Sequence, residues 1–246
     1  MTHIKNEYKV DLPCILGFHT KPIFTSCAQV NRFVGFNLLS EPSKMPEESF
    51  NIPARLCKAG SYMVKLKGWV CFGCYALKGR YGFENVITAM DRRYKYATNS
   101  PYWVDCMTYL INHKRGGKSH IKHFRWFDSG DLQDKKMLDK ICKICRATPN
   151  TKHWLPTKEP KLMKRYLEAG NKLPDNLCIR VSTNKKDCKP KRWWTKRLGL
   201  VTSTVVSKEQ FAKLGFKCPS SKQDNQCKDC RACWNKGVKN VPYKYH

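Results

Sequence analysis

The residues best suited to chemistry lie in one stretch, His123-Phe124-Arg125-Trp126-Phe127-Asp128-Ser129-Gly130-Asp131. Its aromatics predict a covered strand. Gly130 permits a sharp turn directly after it. An amphipathic helix is predicted next, with Leu138, Ile141, Cys142 and Cys145 on one face. Asp128 and Asp131 then stand where a strand hands over to a helix, the mouth of the active site in α/β folds. Two neighbouring carboxylates disfavour double ionisation, so one can serve as a nucleophile and the other as an acid. The alternative roles are local: Asp131 as a helix cap, Asp128 as a turn acceptor.

Further polar groups follow other expected strands. Lys158 and Glu159 follow one, and Ser182, Thr183 and Asn184 follow another. In a barrel these ends converge, so Ser129, Gly130, Lys158, Ser182 and Asn184 are the expected substrate contacts. Cys218, Cys227, Cys230 and Cys233 are spaced C-x8-C-x2-C-x2-C. Four thiolates at such spacing suit tetrahedral zinc, with an iron–sulfur cluster as the alternative. Cys57, Cys71 and Cys74 form a second group. Three thiolates suit a cluster with an open iron, as in radical enzymes that bind S-adenosylmethionine. The spacing departs from the C-x3-C-x2-C of those enzymes, and packing or a second zinc are equal alternatives. Cys142 and Cys145 are expected in the core.

The net charge is +28, from 47 Lys and Arg against 19 Asp and Glu. Such an excess predicts a polyanionic partner, with nucleic acid first. The stretch from Thr183 to Arg197 holds Lys185, Lys186, Lys189, Lys191, Arg192, Lys196 and Arg197 around Trp193 and Trp194. Cations with interleaved aromatics suit phosphates and bases, so these residues are the expected DNA contacts. No apolar run is long enough for a membrane span. The first residues lack the apolar core of a signal peptide. A cytoplasmic protein is expected. Fourteen cysteines in a reducing compartment favour metal ligation over disulfides.

The elements that position these groups read as α/β. Residues 8–40 are expected to supply the first strands, and the prolines of 41–53 a loop. Helices are predicted over 83–97 and after Ser100-Pro101, then the central strand and a helix to about Ala147. Strands follow at 152–156, 177–182 and 198–206, and Phe216-Lys217-Cys218 is the expected last one. A helix opened by Pro160 and a short one capped by Ser207 lie between them. This alternation predicts a parallel (β/α) barrel-like sheet, somewhat short of eight units. The expected division is a catalytic 1–216 and a basic metal knuckle, 217–246.

Cys71-x2-Cys74-Tyr75-Ala76, Arg125 to Asp131, Thr157-Lys158 and Val181-Ser182 resemble a family of small phage gene products. Through them the chain resembles, more distantly, phage DNA-guanine transglycosylases, relatives of the zinc-containing (β/α)-barrel tRNA-guanine transglycosylase. That resemblance implies a transferase, an enzyme replacing guanine in DNA with a 7-deazaguanine base and so protecting the DNA from restriction. It implies that Asp128 matches the aspartate of an Asp-Ser/Thr-Gly-Gly motif, where Asp131 replaces the second Gly. The superfamily's later nucleophilic aspartate has only Glu159 and Asp187 as near counterparts. The other expectations are an iron–sulfur radical enzyme acting on nucleic acid and a zinc-stabilised DNA-binding protein without activity.

Overall fold

The computed structural model describes residues 21–113, 119–190 and 192–245. Residues expected to form the first strands instead make helix α1, Cys27–Val34. Ser26 caps it by accepting from the Gln29 N–H, and Gly35 ends it at φ 85°. Val30 and Val34, one turn apart, are its buried face. The expectation on Leu12, Ile15, Leu16 and Phe18 lies outside the described residues.

The first strand, β1 (Ser49–Phe50), falls in the proline-containing segment read as a loop. Two residues carry no periodicity, so only pairing defines it. Short helix α2 (Lys58–Met63) follows, then α3 (Glu84–Asn99) and α4 (Trp103–Asn112). The remaining units alternate: β2 (His123–Trp126), α5 (Lys135–Ala147), β3 (Lys152–Thr157), α6 (Pro160–Glu168), β4 (Leu177–Ser182). After them come α7 (Arg192–Leu198), β5 (Val201–Val206), α8 (Lys208–Lys213) and β6 (Asn240–Lys244). The expected last strand at Phe216–Cys218 is not a strand. The Cys218 N–H reaches the Pro242 carbonyl, so this segment only flanks β6.

The six strands form one sheet in the order β1-β2-β3-β4-β5-β6, and every neighbouring pair is parallel. Sequence neighbours are therefore sheet neighbours. Right-handed crossovers then send successive connections to the same face, as in the wall of a (β/α) barrel. Among the described residues β6 does not pair with β1, so the barrel-like wall is incomplete.

One large core lies where α4, α5 and α6 cover the sheet, around Trp103, Leu138, Ile141, Phe124, Trp126 and Leu155. A smaller one gathers Trp154, Cys233, Trp234 and Val241. The buried Arg180 on β4 ties the C-terminal segment down. Its guanidinium donates to the carbonyls of Cys233, Thr202, Val238, Ala232 and Asn235, at 2.6–3.0 Å. The Trp234 indole N–H donates to the Phe124 carbonyl at 2.9 Å. With β6 in the sheet as well, the boundary expected at 216/217 falls inside one packed unit. No helix among the described residues is long and apolar enough to cross a membrane.

Candidate active site at the strand ends

Asp128 follows β2 by two residues, next to the end of β1. Phe127 links them at φ 57°, unusual for a bulky side chain. Its N–H donates to the Phe50 carbonyl at 2.7 Å and its ring is buried, which holds the strained backbone in place. The Asp128 carboxylate is 3% exposed. It accepts from the Ser49 hydroxyl (2.6 Å), the Asn51 amide (3.2 Å) and the Tyr81 hydroxyl (2.8 Å). The Tyr75 hydroxyl donates to the Asp128 carbonyl at 2.8 Å. Arg93 supports Asn51 from behind at 2.8 Å. Arg125 lies over the Trp154 ring, 4.6 Å from its centre. Burial opposes its charge, but Tyr75, Asp128 and Tyr81 outweigh burial and raise its pKa. Asp128 is therefore an enclosed anchor between β1, β2 and the 75–81 segment.

Asp131 faces different partners. One oxygen accepts from the Leu132 N–H at 2.6 Å, the other from the Lys158 N–H at 2.8 Å. Burial raises its pKa, these donors and Thr157 lower it, Glu159 raises it, and the balance is about 6. Asp131 thus clips the end of β2 to that of β3. It does not cap the following helix: Asp134 does, accepting from the Met137 N–H. Asp128 and Asp131, expected as a shared-proton pair, sit among different partners. Their oxygens are taken up by separate donors, and Glu159 is the acidic group bearing on Asp131. Between them Gly130 stands at φ 83°, with Ile52 so close that a Cβ there would lie 2.7 Å from the Ile52 carbonyl oxygen.

Lys158 is half-buried, and its Nζ donates to the Thr183 carbonyl at 2.7 Å, joining the ends of β3 and β4. Burial lowers its pKa, while Cys71, Asp131 and Cys74 work the other way. Ser182 shares a hydrogen bond of 2.9 Å with Ser203. The Asn184 carbonyl accepts from the Val70 N–H at 2.8 Å. Three polar atoms around these ends are buried without a partner: Ser129 Oγ, Thr183 Oγ1 and Asn184 Oδ1. Buried polar atoms rarely go unpaired, and these three follow the ends of β2 and β4.

The same place gathers Cys57, Cys71 and Cys74. Burial first, then Asp131, Cys74, Cys71 and Glu159, push the Cys57 thiol up. Cys71 is raised by burial, with Lys158 opposing and Cys74 and Asp131 adding. Cys57 therefore feels Cys71 and Cys74, although it lies far from the C-x2-C in sequence. Backbone and side-chain bonds bring them together. Glu159 accepts from the Ala59 N–H at 2.9 Å, and Lys58 donates to the Gln133 carbonyl at 2.7 Å. Trp69 bridges Lys185 beyond the end of β4. Sequence reading held these cysteines apart from the aspartates because β1, which precedes them, was not recognised.

Among the described residues, no three His, Cys, Asp or Glu side chains converge tightly enough to ligate an ion as they stand. This applies to the C-terminal knuckle too. Cys227 senses Cys218 and Cys230, and Cys233 senses Cys218 and Cys227. Yet the Cys218 thiol bonds Ser220 at 3.2 Å, and the buried Cys233 thiol bonds Tyr243 at 3.0 Å. The four thiols of the expected knuckle thus lie near one another without being drawn up into a closed ligand set, with Cys233 packed in the second core.

Of the expected DNA contacts, Lys185, Lys186 and Lys189 are exposed beyond β4, and Lys196 and Arg197 are exposed on α7. Lys191 and the side chain of Arg192 lie outside the described residues. Trp193 and Trp194 pack edge to face at 4.7 Å, and Trp194 leans on the main core. Asp187, beyond the end of β4, accepts from the Ser207 N–H at 2.6 Å. A depression lined by Cys27, Asn31, Asn37 and His113 among others lies away from these groups.

A family described as Gene product 88 matches residues 25–236. No curated protein and no solved structure matches the chain.

Proposed function

For a chain that belongs to the Gene product 88 family of phage proteins, we propose an iron–sulfur radical enzyme, with its cluster held by Cys57, Cys71 and Cys74. The observation that carries this reading is that Cys57 lies within electrostatic reach of Cys71, Cys74 and Asp131 near the strand ends, where Ser129, Thr183 and Asn184 each hold an unpaired buried polar atom. Three soft thiolate donors leave one iron of a four-iron cluster open. Asp131 and Glu159 add negative charge around Cys57, which disfavours a free thiolate and favours a bound cation. Ligation would release the thiol protons and draw the side chains inward. Held by Cys57, Cys71 and Cys74, such a cluster would supply one-electron reduction, from an external donor, to a sulfonium ligand of the S-adenosylmethionine type. The chain's own part is to orient that ligand. Ser129, Thr183 and Asn184 offer it hydrogen bonds, and Lys158 holds the β4 end through the Thr183 carbonyl. Asp131 fixes Lys158 by its backbone.

Anaerobic purification tests the reading. The protein should be brown and contain iron, and Cys57→Ser, Cys71→Ser and Cys74→Ser should each lose colour and iron while remaining folded. A colourless, iron-free protein after anaerobic reconstitution would refute it. Zinc on Cys218, Cys227, Cys230 and Cys233 is a separate proposal, supported by their spacing and mutual proximity. Elemental analysis should show Cys230→Ser losing zinc but not iron.

Base exchange in DNA is the second reading, and Asp131 is the observation that favours it. A carboxyl group titrating at about 6 can hold a proton near neutrality. It requires Asp128 to leave Ser49, Asn51 and Tyr81 to act as nucleophile. Incorporation of labelled 7-deazaguanine into DNA by iron-free protein would select this reading.

A further inference from the structure

We infer that the segment carrying Cys57, Cys71 and Cys74 presents a docking rim for single-stranded nucleic acid, which is then the substrate class of this site. The inference rests on the cluster reading only for what happens to the strand once bound.

Exposed large apolar side chains are concentrated in this segment. Tyr62, Phe72, Tyr75, Leu77 and Phe83 are 42–66% exposed. Single exposed apolar residues need no explanation, but a run of rings around one site does. Tyr75 shows how the rim is built: its hydroxyl is enclosed against the Asp128 carbonyl, while much of its ring stays in solvent. Tyr62 meets Trp69 edge to face at 6.3 Å, and Lys185 stands 5.2 Å from the centre of the Trp69 ring.

Charge selects the partner. Residues 55–83 contain Arg55, Lys58, Lys65, Lys67, Lys78 and Arg80 and no Asp or Glu. Across the Trp69–Lys185 bridge, Lys185, Lys186 and Lys189 continue the basic surface. Upright rings among cations match a strand whose bases are free to stack and whose phosphates need neutralising. A duplex hides its base faces and would meet only the cations. The rim also explains the basic stretch after β4, which is stitched to the cysteine segment by the Val70–Asn184 and Lys186–Gly68 backbone bonds.

Fluorescence anisotropy with a labelled oligothymidine and a duplex of equal length, using the full chain, tests this. The single strand should bind at least about ten-fold more tightly than the duplex. Phe72→Ala and Phe83→Ala should each weaken single-strand binding by about ten-fold. Phe216→Ala removes an exposed ring outside the rim and should leave binding unchanged. The double variant Lys65→Gln, Lys67→Gln should flatten the slope of log affinity against log salt by about 1.4, two phosphates at about 0.7 each. Equal binding of duplex and single strand would overturn the inference. So would rim variants no weaker than Phe216→Ala, or displacement of the strand by oligoglutamate of equal charge. Iron measured on the same preparations separates the two readings: iron-loaded protein that fails to bind the strand sinks this inference alone, and iron-free protein that binds it sinks the cluster alone.

Discussion

Replacing Gly130 by alanine probes the packing that sets the site. Gly130 stands at φ 83°, and its added Cβ would meet Ile52 Cγ1 and, at 2.7 Å, the Ile52 carbonyl oxygen. The carbonyl belongs to backbone just after β1, and the Ile52 N–H already donates to Ser129 at 3.1 Å. Neither side can yield without moving the Asp128 surroundings. Gly170 provides the control, because it stands at φ 79° with open space where its Cβ would go. Both variants bear the left-handed backbone strain, about 1–2 kcal/mol. Only Gly130→Ala adds overpacking of about 1–3 kcal/mol, for a total of about 2–5 kcal/mol. Urea unfolding of both variants measures the difference at constant slope. If the two lose the same stability, Ile52 does not press on Gly130 and the tight β1–β2 junction is wrong. Gly130→Ala should also reduce iron retention, which Gly170→Ala should not.

Other predictions concern charge. His153 is buried, its Nε2 shares a 2.8 Å hydrogen bond with Thr148, and burial lowers its pKa to about 3. An unfolded histidine takes a proton near 6.5, so below that pH the unfolded chain binds more protons and stability falls toward pH 3. Between pH 7 and 5 the loss should be about 2 kcal/mol; denaturant titrations showing the same slope for His153→Gln would remove His153 as its cause. Arg180→Met takes the donor from the buried Cys233 and Thr202 carbonyls and from three partly buried ones, and should destabilise by about 2–6 kcal/mol, with hydrogen exchange rising first over residues 232–244. Unchanged exchange there would mean that Arg180 does not hold the C-terminal segment. Asp128→Asn turns an acceptor for Ser49 and Tyr81 partly into a donor and should lose about 1–3 kcal/mol. A variant as stable as the parent would show that the carboxylate is not the anchor described above.

Periodicity in the sequence is enough for the elements from residue 84 to 182 and from 201 to 213, because each of those helices buries one face and each strand is short and β-branched or aromatic; helix α7 (Arg192–Leu198), inside the basic stretch, shows no such pattern and is missed. Met137, Leu138, Ile141 and Cys142 needed no tertiary information to be placed in a core. The cation excess and the chemical potential of Asp131 and the cysteines were also plain from residue type. What composition and spacing do not contain is adjacency between distant segments. Strand β1 is two residues long and exists only through its pairing with β2, so Cys57 could not be assigned to a strand end. Strand β6 follows the cysteine-rich segment and enters the sheet because Arg180 and Trp234 bind that segment down. The roles of the two aspartates were likewise decided in three dimensions. Three donors from β1 and the 75–81 segment enclose Asp128, and the backbone of Lys158 claims Asp131. A carboxylate's chemistry follows the donors around it, and those come from whichever chain segments the sheet brings together.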